Sequence, residues 1–248
     1  MQESRSSAVS EETQREFFEE AADRYDNRFC RSRWPRNQQL KARVIAKVLG
    51  DGMREGPVLE LGCGTGQIAA ELLEWYPQLR YIGLDLSPGM LEVAARRLER
   101  FGGRAELRAV SGSALPLAGE PLAGVFGVDV LHHVEDVGAV LAQLRPALGR
   151  GGRLVFLEGN PRFPLTALIG ALRREERGLF KMRPPNLRRW LEEAGFEDAV
   201  VEYGPLYTPP GPERVEPLLD RVDGVLGAIP FVRGLAIFYV ARAQAPLV

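Results

Sequence analysis

The chain has 248 residues, 45% of them hydrophobic and 26% charged, with 27 Gly and 18 Pro. This composition excludes a disordered, collagen-like or repetitive polypeptide and fits one large α/β domain with an appendage. Its formal charge of −1, from 32 basic and 33 acidic residues, disfavours nucleic acid, because a duplex-binding surface needs a marked basic excess. Cys30 and Cys63 are the only cysteines and the adjacent His132 and His133 the only histidines, so neither a disulfide scaffold nor a metal site is expected.

Residues 1–12 are polar, lack an apolar signal core and read as disordered. A helix is expected from about 11 to 28, with Phe17, Ala21 and Tyr25 on one face, and a second over 38–49 with Leu40, Val44, Ile45 and Val48 as its stripe. From residue 58 the chain alternates. Strands are expected at 58–61, 81–84, 105–110, 125–131 and 153–157. Helices fall between them at 67–76, 88–101 and 137–148, the second capped by Ser87 with Pro88 at its first position. Strands alternating with helices of this length build a mostly parallel sheet with crossover helices. The tail reads as a helix at 186–194, a strand at 199–203, a Pro/Gly-rich loop, a helix at 213–226 and a last strand at 235–240. The apolar stretch 225–241 is broken by Pro230, Arg233 and Gly234 and is no membrane span. A reduced, cytoplasmic setting is expected.

The most informative stretch is VLELGCGTGQ at 58–67. Gly62, Gly64 and Gly66 follow a buried strand and open a helix; without Cβ atoms they let the backbone turn tightly and approach a ligand. Asp85 stands 19 residues beyond Gly66, at the end of the second strand, where a carboxylate can accept hydrogen bonds from a ribose diol. The dinucleotide fingerprint would need glycine at Gln67, and the Lys-Ser/Thr of a P-loop is missing. The acidic Glu60 disfavours a pyrophosphate and suits a cationic ligand. S-adenosylmethionine, with a sulfonium and an ammonium and no phosphate, meets these conditions.

The ordered segments VLELGCGTG, GLDLS, GSALPL, VLHHVED and LRPALGRGGRLVF resemble the successive motifs of the class I S-adenosylmethionine-dependent methyltransferases, well over roughly 13–160 and loosely thereafter. The resemblance implies a Rossmann-like, doubly wound α/β fold, with a mostly parallel seven-stranded sheet whose last strand is antiparallel. It also implies one methyltransferase domain over 13–248, with a helical lid at 13–50 and helical cap insertions at 160–190 and 205–233. The methionine part of the cofactor is expected around Glu60, Gly62, Cys63, Gly64, Gly66 and Asp129, and the ribose on Asp85. The adenine is expected near Leu86, Met90, Gly112, Ser113 and Ala114. FFEEAADRYD resembles the family's lid helix, which would bring Tyr25 over the methionine end. Where the family often has an acidic adenine acceptor this chain has Ser113, whose neutral hydroxyl makes a weaker contact.

His132 and His133, expected at a strand end with side chains pointing apart, read either as structural or as a general base in the substrate region. Cys63 reads as a small residue in a tight loop. No DPPY-type motif follows the fourth strand, where Asp129-Val-Leu-His stands instead, so amide and exocyclic amine acceptors are not expected. A hydroxyl, carboxyl or acidic carbon of a small molecule is favoured. The alternative is a related protein that binds the cofactor for non-methylating chemistry or as a sensor. Residues 173–189 carry seven basic against two acidic residues beside Leu165, Leu168, Leu172, Leu179 and Phe180. That pattern suits either a solvated helix face or a surface for anionic lipid or a phosphorylated substrate.

Overall fold

The computed structural model describes residues 11–29, 35–111, 113–117, 119, 121–204 and 216–247. Cys30, Gly112 and most of the Pro/Gly-rich loop lie outside them, as does the Tyr25 side chain. Two helices, α1 (Glu11–Phe29) and α2 (Pro35–Leu49), precede the alternating part. That part runs β1 (Pro57–Leu61), α3 (Gln67–Trp75), β2 (Arg80–Asp85), α4 (Pro88–Leu98), β3 (Ala105–Ala109), β4 (Leu122–Val128), α5 (Val137–Ala147) and β5 (Leu148–Gly159). The remainder is α6 (Pro164–Leu172), a 3₁₀ segment (Arg174–Lys181), α7 (Pro184–Glu193), β6 (Glu197–Tyr203), α8 (Glu216–Gly227), α9 (Pro230–Arg233) and β7 (Phe238–Gln244).

The seven strands form one sheet in the order β3-β2-β1-β4-β5-β7-β6. The pairs among β1 to β5 are parallel, and β7 runs antiparallel between β5 and β6, as the resemblance implied. Every residue of β1 is buried, the pattern of a central strand covered on both faces. On one face Leu141 of α5 and Leu187 and Leu191 of α7 pack against Leu59, Leu154 and Phe156. On the other, Ile45 of α2, Leu72 of α3 and Leu98 of α4 pack against Val58, Phe126 and Val155. The strand order reverses between β1 and β4, and at such a switch point the carboxyl ends of the strands diverge into a crevice.

Several boundaries differ from the expectation; β5, for one, begins at Leu148 rather than at residue 153. β4 stops at Val128 rather than at residue 131, because Asp129 turns the chain at φ 51°. A 3₁₀ turn, Leu131–His133, follows. α1 spans Glu11–Phe29, close to the expected 11–28. β7 begins at Phe238, three residues later than expected, because the chain first turns after α9 through hydrogen bonds from Leu235 to Val232 and from Ala236 to Arg233.

Phe126 lies fully buried at the middle of β4 and packs near Tyr81. Phe126→Ala should cost about 3–5 kcal/mol of stability, read from urea unfolding; a loss well under 1 kcal/mol would place the core elsewhere.

Candidate cofactor and substrate site

The glycine loop after β1 is left-handed at all three glycines, with φ of 67°, 50° and 74° at Gly62, Gly64 and Gly66. A Cβ on Gly62 would lie 2.4 Å from a Val130 methyl, whereas one on Gly64 would meet nothing within 4 Å. The first position is thus closed by packing and the second faces open space. Asp85, at the end of β2, ties this loop to the next: Gly64 N donates to Oδ2 at 2.7 Å and Ser87 N to Oδ1 at 3.0 Å. Burial lifts the Asp85 pKa above its ordinary value, opposed by hydrogen bonds from the Ser87, Gly64 and Leu86 amides. Each carboxylate oxygen accepts more than one hydrogen bond, so capacity toward a diol remains.

Around this loop lies a cavity of about 330 Å³. Of the residues expected to bind cofactor, Gly62, Gly64, Asp85, Leu86, Met90, Ser113 and Asp129 line it; Glu60, Cys63, Gly66 and Ala114 do not. Glu60 sits beneath the loop, 2% exposed, and accepts the Tyr81 hydroxyl at 2.5 Å. Burial pushes its pKa up to about 8, so it is largely neutral at pH 7. Burial, then the Asp85 and Glu60 charges, push the Cys63 thiol well above its usual range, which leaves it without nucleophilic character. Gly66 packs on Ala94 and Leu98 of α4 and fixes where α3 starts. The carbonyl of Ser113 and the amide of Leu115 are both held by the Gln143 side chain, at 2.8 and 2.9 Å.

The histidines are not splayed. They sit on the 3₁₀ turn with ring centroids 4.0 Å apart, because the chain has already left the strand at Asp129. His132 is 4% exposed and clamped at both nitrogens, Nδ1 to Glu158 at 2.8 Å and Nε2 to Glu176 at 3.2 Å. Burial works against its charge, but the Glu158 carboxylate and the hydrogen bonds to Glu158 and Glu176 outweigh it and push its pKa up to about 10. Glu158, fully buried, also accepts the amides of Val130 and Leu131. His132, His133 and Glu176 thus bring ligand-type atoms within 4.8 Å of one another, a cluster that the spacing of the histidines in the chain did not suggest. His132 does not line the cavity and has no nitrogen left to accept a proton.

His133 does line the cavity. Burial, then the His132 charge, hold its pKa well below the ordinary value, while the Glu175 carbonyl accepts a ring N–H. Its Nδ1 is buried with no hydrogen-bond partner, so the ring proton sits on Nε2 and Nδ1 presents a lone pair. Among the described residues the other such buried atom is Gln14 Oε1, also on a cavity residue. Both unpartnered acceptors are buried atoms of residues that line the cavity.

Several contributors were not anticipated. Glu19 of α1 accepts Ser87 Oγ and Gly89 N, at 2.8 and 2.9 Å, and so fastens this helix to the start of α4. Phe18, from the same helix, lies edge-on to His133 at 5.1 Å between centroids. Lys41 of α2 reaches Asp129 Oδ2 at 2.5 Å. These partners lie far apart in the chain, and no local pattern announces them.

The comparisons agree with this geometry. A model of the methyltransferase domain family matches residues 58–152. A ubiquinone/menaquinone biosynthesis C-methyltransferase of Desulfotalea psychrophila is 34% identical over 145 residues, 58% of this chain and 57% of its own length. A ubiquinone biosynthesis O-methyltransferase of Dinoroseobacter shibae is 30% identical over 161 residues, 61% of this chain and 64% of its own. The chain therefore spans less than two thirds of these relatives. The magnesium protoporphyrin IX methyltransferase of Synechocystis PCC 6803, solved with bound S-adenosylhomocysteine, superposes with a TM-score of 0.62 at 18% identity, covering 95% of this chain and 99% of its own.

Two outcomes follow. The His132 pKa lies above its unfolded value of 6.5, so its contribution to stability is full below about pH 6.5 and is lost as pH rises toward 10. The stability gap between the wild type and His132→Asn should therefore narrow over that range in thermal melts; a gap that widens would contradict the clamp. Glu19→Gln should weaken cofactor binding severalfold by loosening α1 from the start of α4, while leaving the melting temperature of the free protein within a few degrees. Calorimetry showing unchanged affinity would remove that role.

Proposed function

We propose that the chain is a class I S-adenosylmethionine-dependent methyltransferase that transfers a methyl group to an oxygen or activated carbon of a small, lipophilic molecule, a reading supported by the family model over residues 58–152 and the methyltransferase relatives. The observation that carries this reading is the cavity itself. Its lining brings together the backbone of Gly62 and Gly64, Asp85 and the His133 ring among mostly apolar side chains. S-adenosylmethionine, when bound, supplies a methyl group already activated on a cationic sulfur. Gly62 and Gly64 would hold its methionine part, Asp85 its ribose, and Leu86, Met90 and Ser113 the adenine side, with Tyr25 closing the methionine end. The open space opposite Gly64 and the spare acceptor capacity of Asp85 fit such a nucleoside.

The chain's own residues then position and desolvate the acceptor. Phe18, Val130 and Val134 supply an apolar wall. His133 Nδ1 receives the acceptor's proton, while Nε2–H stays on the Glu175 carbonyl. A ring whose pKa is held low is neutral near pH 7 and so in the form that can accept a proton, such as that of a phenol or of a carbon between two carbonyls. A carboxylate acceptor would need no base. His132, a cation between two glutamates, positions the turn that carries His133. The relatives above, by their names, act in quinone biosynthesis at carbon in one case and oxygen in the other, which supports a lipophilic acceptor of either kind. The free, buried Cys63 thiol suits a reducing, cytoplasmic compartment.

Thermal shift should show stabilisation by S-adenosylmethionine and S-adenosylhomocysteine and none by NAD. Asp85→Ala should weaken cofactor binding by about 1–3 kcal/mol. Unchanged calorimetric affinity would refute the ribose assignment. His133→Gln should lower turnover by about 10²–10⁴-fold with cofactor affinity intact; full activity in that variant would mean that no base is used or that it lies elsewhere.

A further inference from the structure

The two cap insertions share one root. Asn160, fully buried at the end of β5, donates through Nδ2 to the carbonyls of Gly234 and Ala236 at 3.0 and 2.7 Å. Its Oδ1 accepts the Tyr239 hydroxyl at 2.6 Å. The chain that leaves into α6 is therefore pinned to the chain that returns from α9. From this root the exposed apolar side chains project. Leu165, Leu168 and Leu172, at the spacing of one helical stripe, are 55%, 53% and 75% exposed, and Phe231 of α9 is 81% exposed. Nine of the eleven large hydrophobic residues that stand exposed among the described residues belong to these two insertions, far beyond the scattered singles of an ordinary surface.

The exposed charges beside this stripe are basic, with Glu175 half-buried among them. Arg162, Arg174 and Arg177 flank α6 and Arg233 ends α9, and all four are exposed. Glu176, the acid nearest in the chain whose partner is known, is turned inward onto His132. Glu175, beside it, offers its carbonyl to Gln14. The stripe leads into the 3₁₀ segment, which packs on the turn carrying His132 and His133 through Glu176 and the Glu175 carbonyl.

We propose that the exposed stripe of α6 with Phe231, rimmed by these arginines, is a docking surface for an anionic phospholipid bilayer. Apolar side chains enter the interfacial layer and the guanidinium groups meet lipid phosphates. A two-fold contact with a second copy would set the same arginine rim against itself, whereas an anionic membrane complements both parts of the surface. Among the described residues no helix is long and apolar enough to cross a membrane, so the contact is peripheral. The surface deepens the reading of a lipophilic acceptor and rests on it for its purpose, since it would bring the cavity mouth to where such a molecule dissolves.

The test is co-sedimentation of the full chain with phosphatidylcholine vesicles, with and without a third of phosphatidylglycerol. The protein should sediment with the anionic vesicles, far less with the neutral ones, and be released by high salt. Leu168→Glu with Leu172→Glu should abolish binding, and Arg174→Glu with Arg177→Glu should weaken it about tenfold or more. Both variants should keep the wild-type thermal shift with S-adenosylmethionine, which shows that they fold and keeps this test separate from the methyl-transfer reading. No binding to either vesicle, or binding indifferent to both variants, would overturn the proposal. So would a dimer in sedimentation velocity that Leu168→Glu with Leu172→Glu dissolves while the wild type ignores vesicles. Vesicle binding without any cofactor shift would leave the surface standing and remove the methyltransferase reading instead.

Discussion

One half-buried carboxylate organises the site. Asp85 accepts an amide hydrogen from the loop after β1 and another from the loop after β2. Two crossover connections that are separate in the chain are thereby fixed in one geometry. The Gly62–Gly66 backbone can lie open only because this staple replaces the side-chain contacts that three glycines cannot make. The energetic logic is that of a charged acceptor in a low-dielectric setting: its hydrogen bonds are strong, and leaving it without partners would be costly. The same requirement predisposes the site to a ligand with hydroxyl donors.

A second arrangement sets the substrate side. Glu158 at the end of β5 gathers two backbone amides and the His132 ring, and Glu176 from the cap closes the other side of that ring. The turn after β4 and the cap segment are riveted by a buried cation between two acids. Such a triad is weak evidence for net stability, but it fixes a position. It also differentiates two chemically identical neighbours. One histidine is held charged and inert; burial and the adjacent positive charge keep the other, whose ring belongs to the cavity lining, neutral. A pair of titratable groups driven apart by their surroundings is a recurring basis for assigning proton-transfer roles.

What was legible in the sequence was local. The glycine loop, Asp85 and the alternation of strands and helices depend on spacings within a few tens of residues, and they stand where spacing put them. Strand ends were read less well. The run 125–131 is apolar throughout, so periodicity alone could not show that Asp129 adopts a positive φ and ends the strand. The histidines were misplaced for that reason. The partners that define them lie 26 and 44 residues away. The Glu19 contacts to Ser87 and Gly89 span 68 and 70 residues, and the Lys41–Asp129 pair spans 88. Glu60 was visible as an acid but not as a buried one, because the Tyr81 hydroxyl that satisfies it comes from the neighbouring strand.

The most direct measurement is a crystal structure of the full chain with S-adenosylhomocysteine. The account requires the ribose hydroxyls on the Asp85 carboxylate, the amino-acid part over Gly62 and Gly64, and the sulfur facing the space in front of His133 Nδ1. A nucleoside bound outside that cavity, or one whose ribose leaves Asp85 untouched, would contradict it.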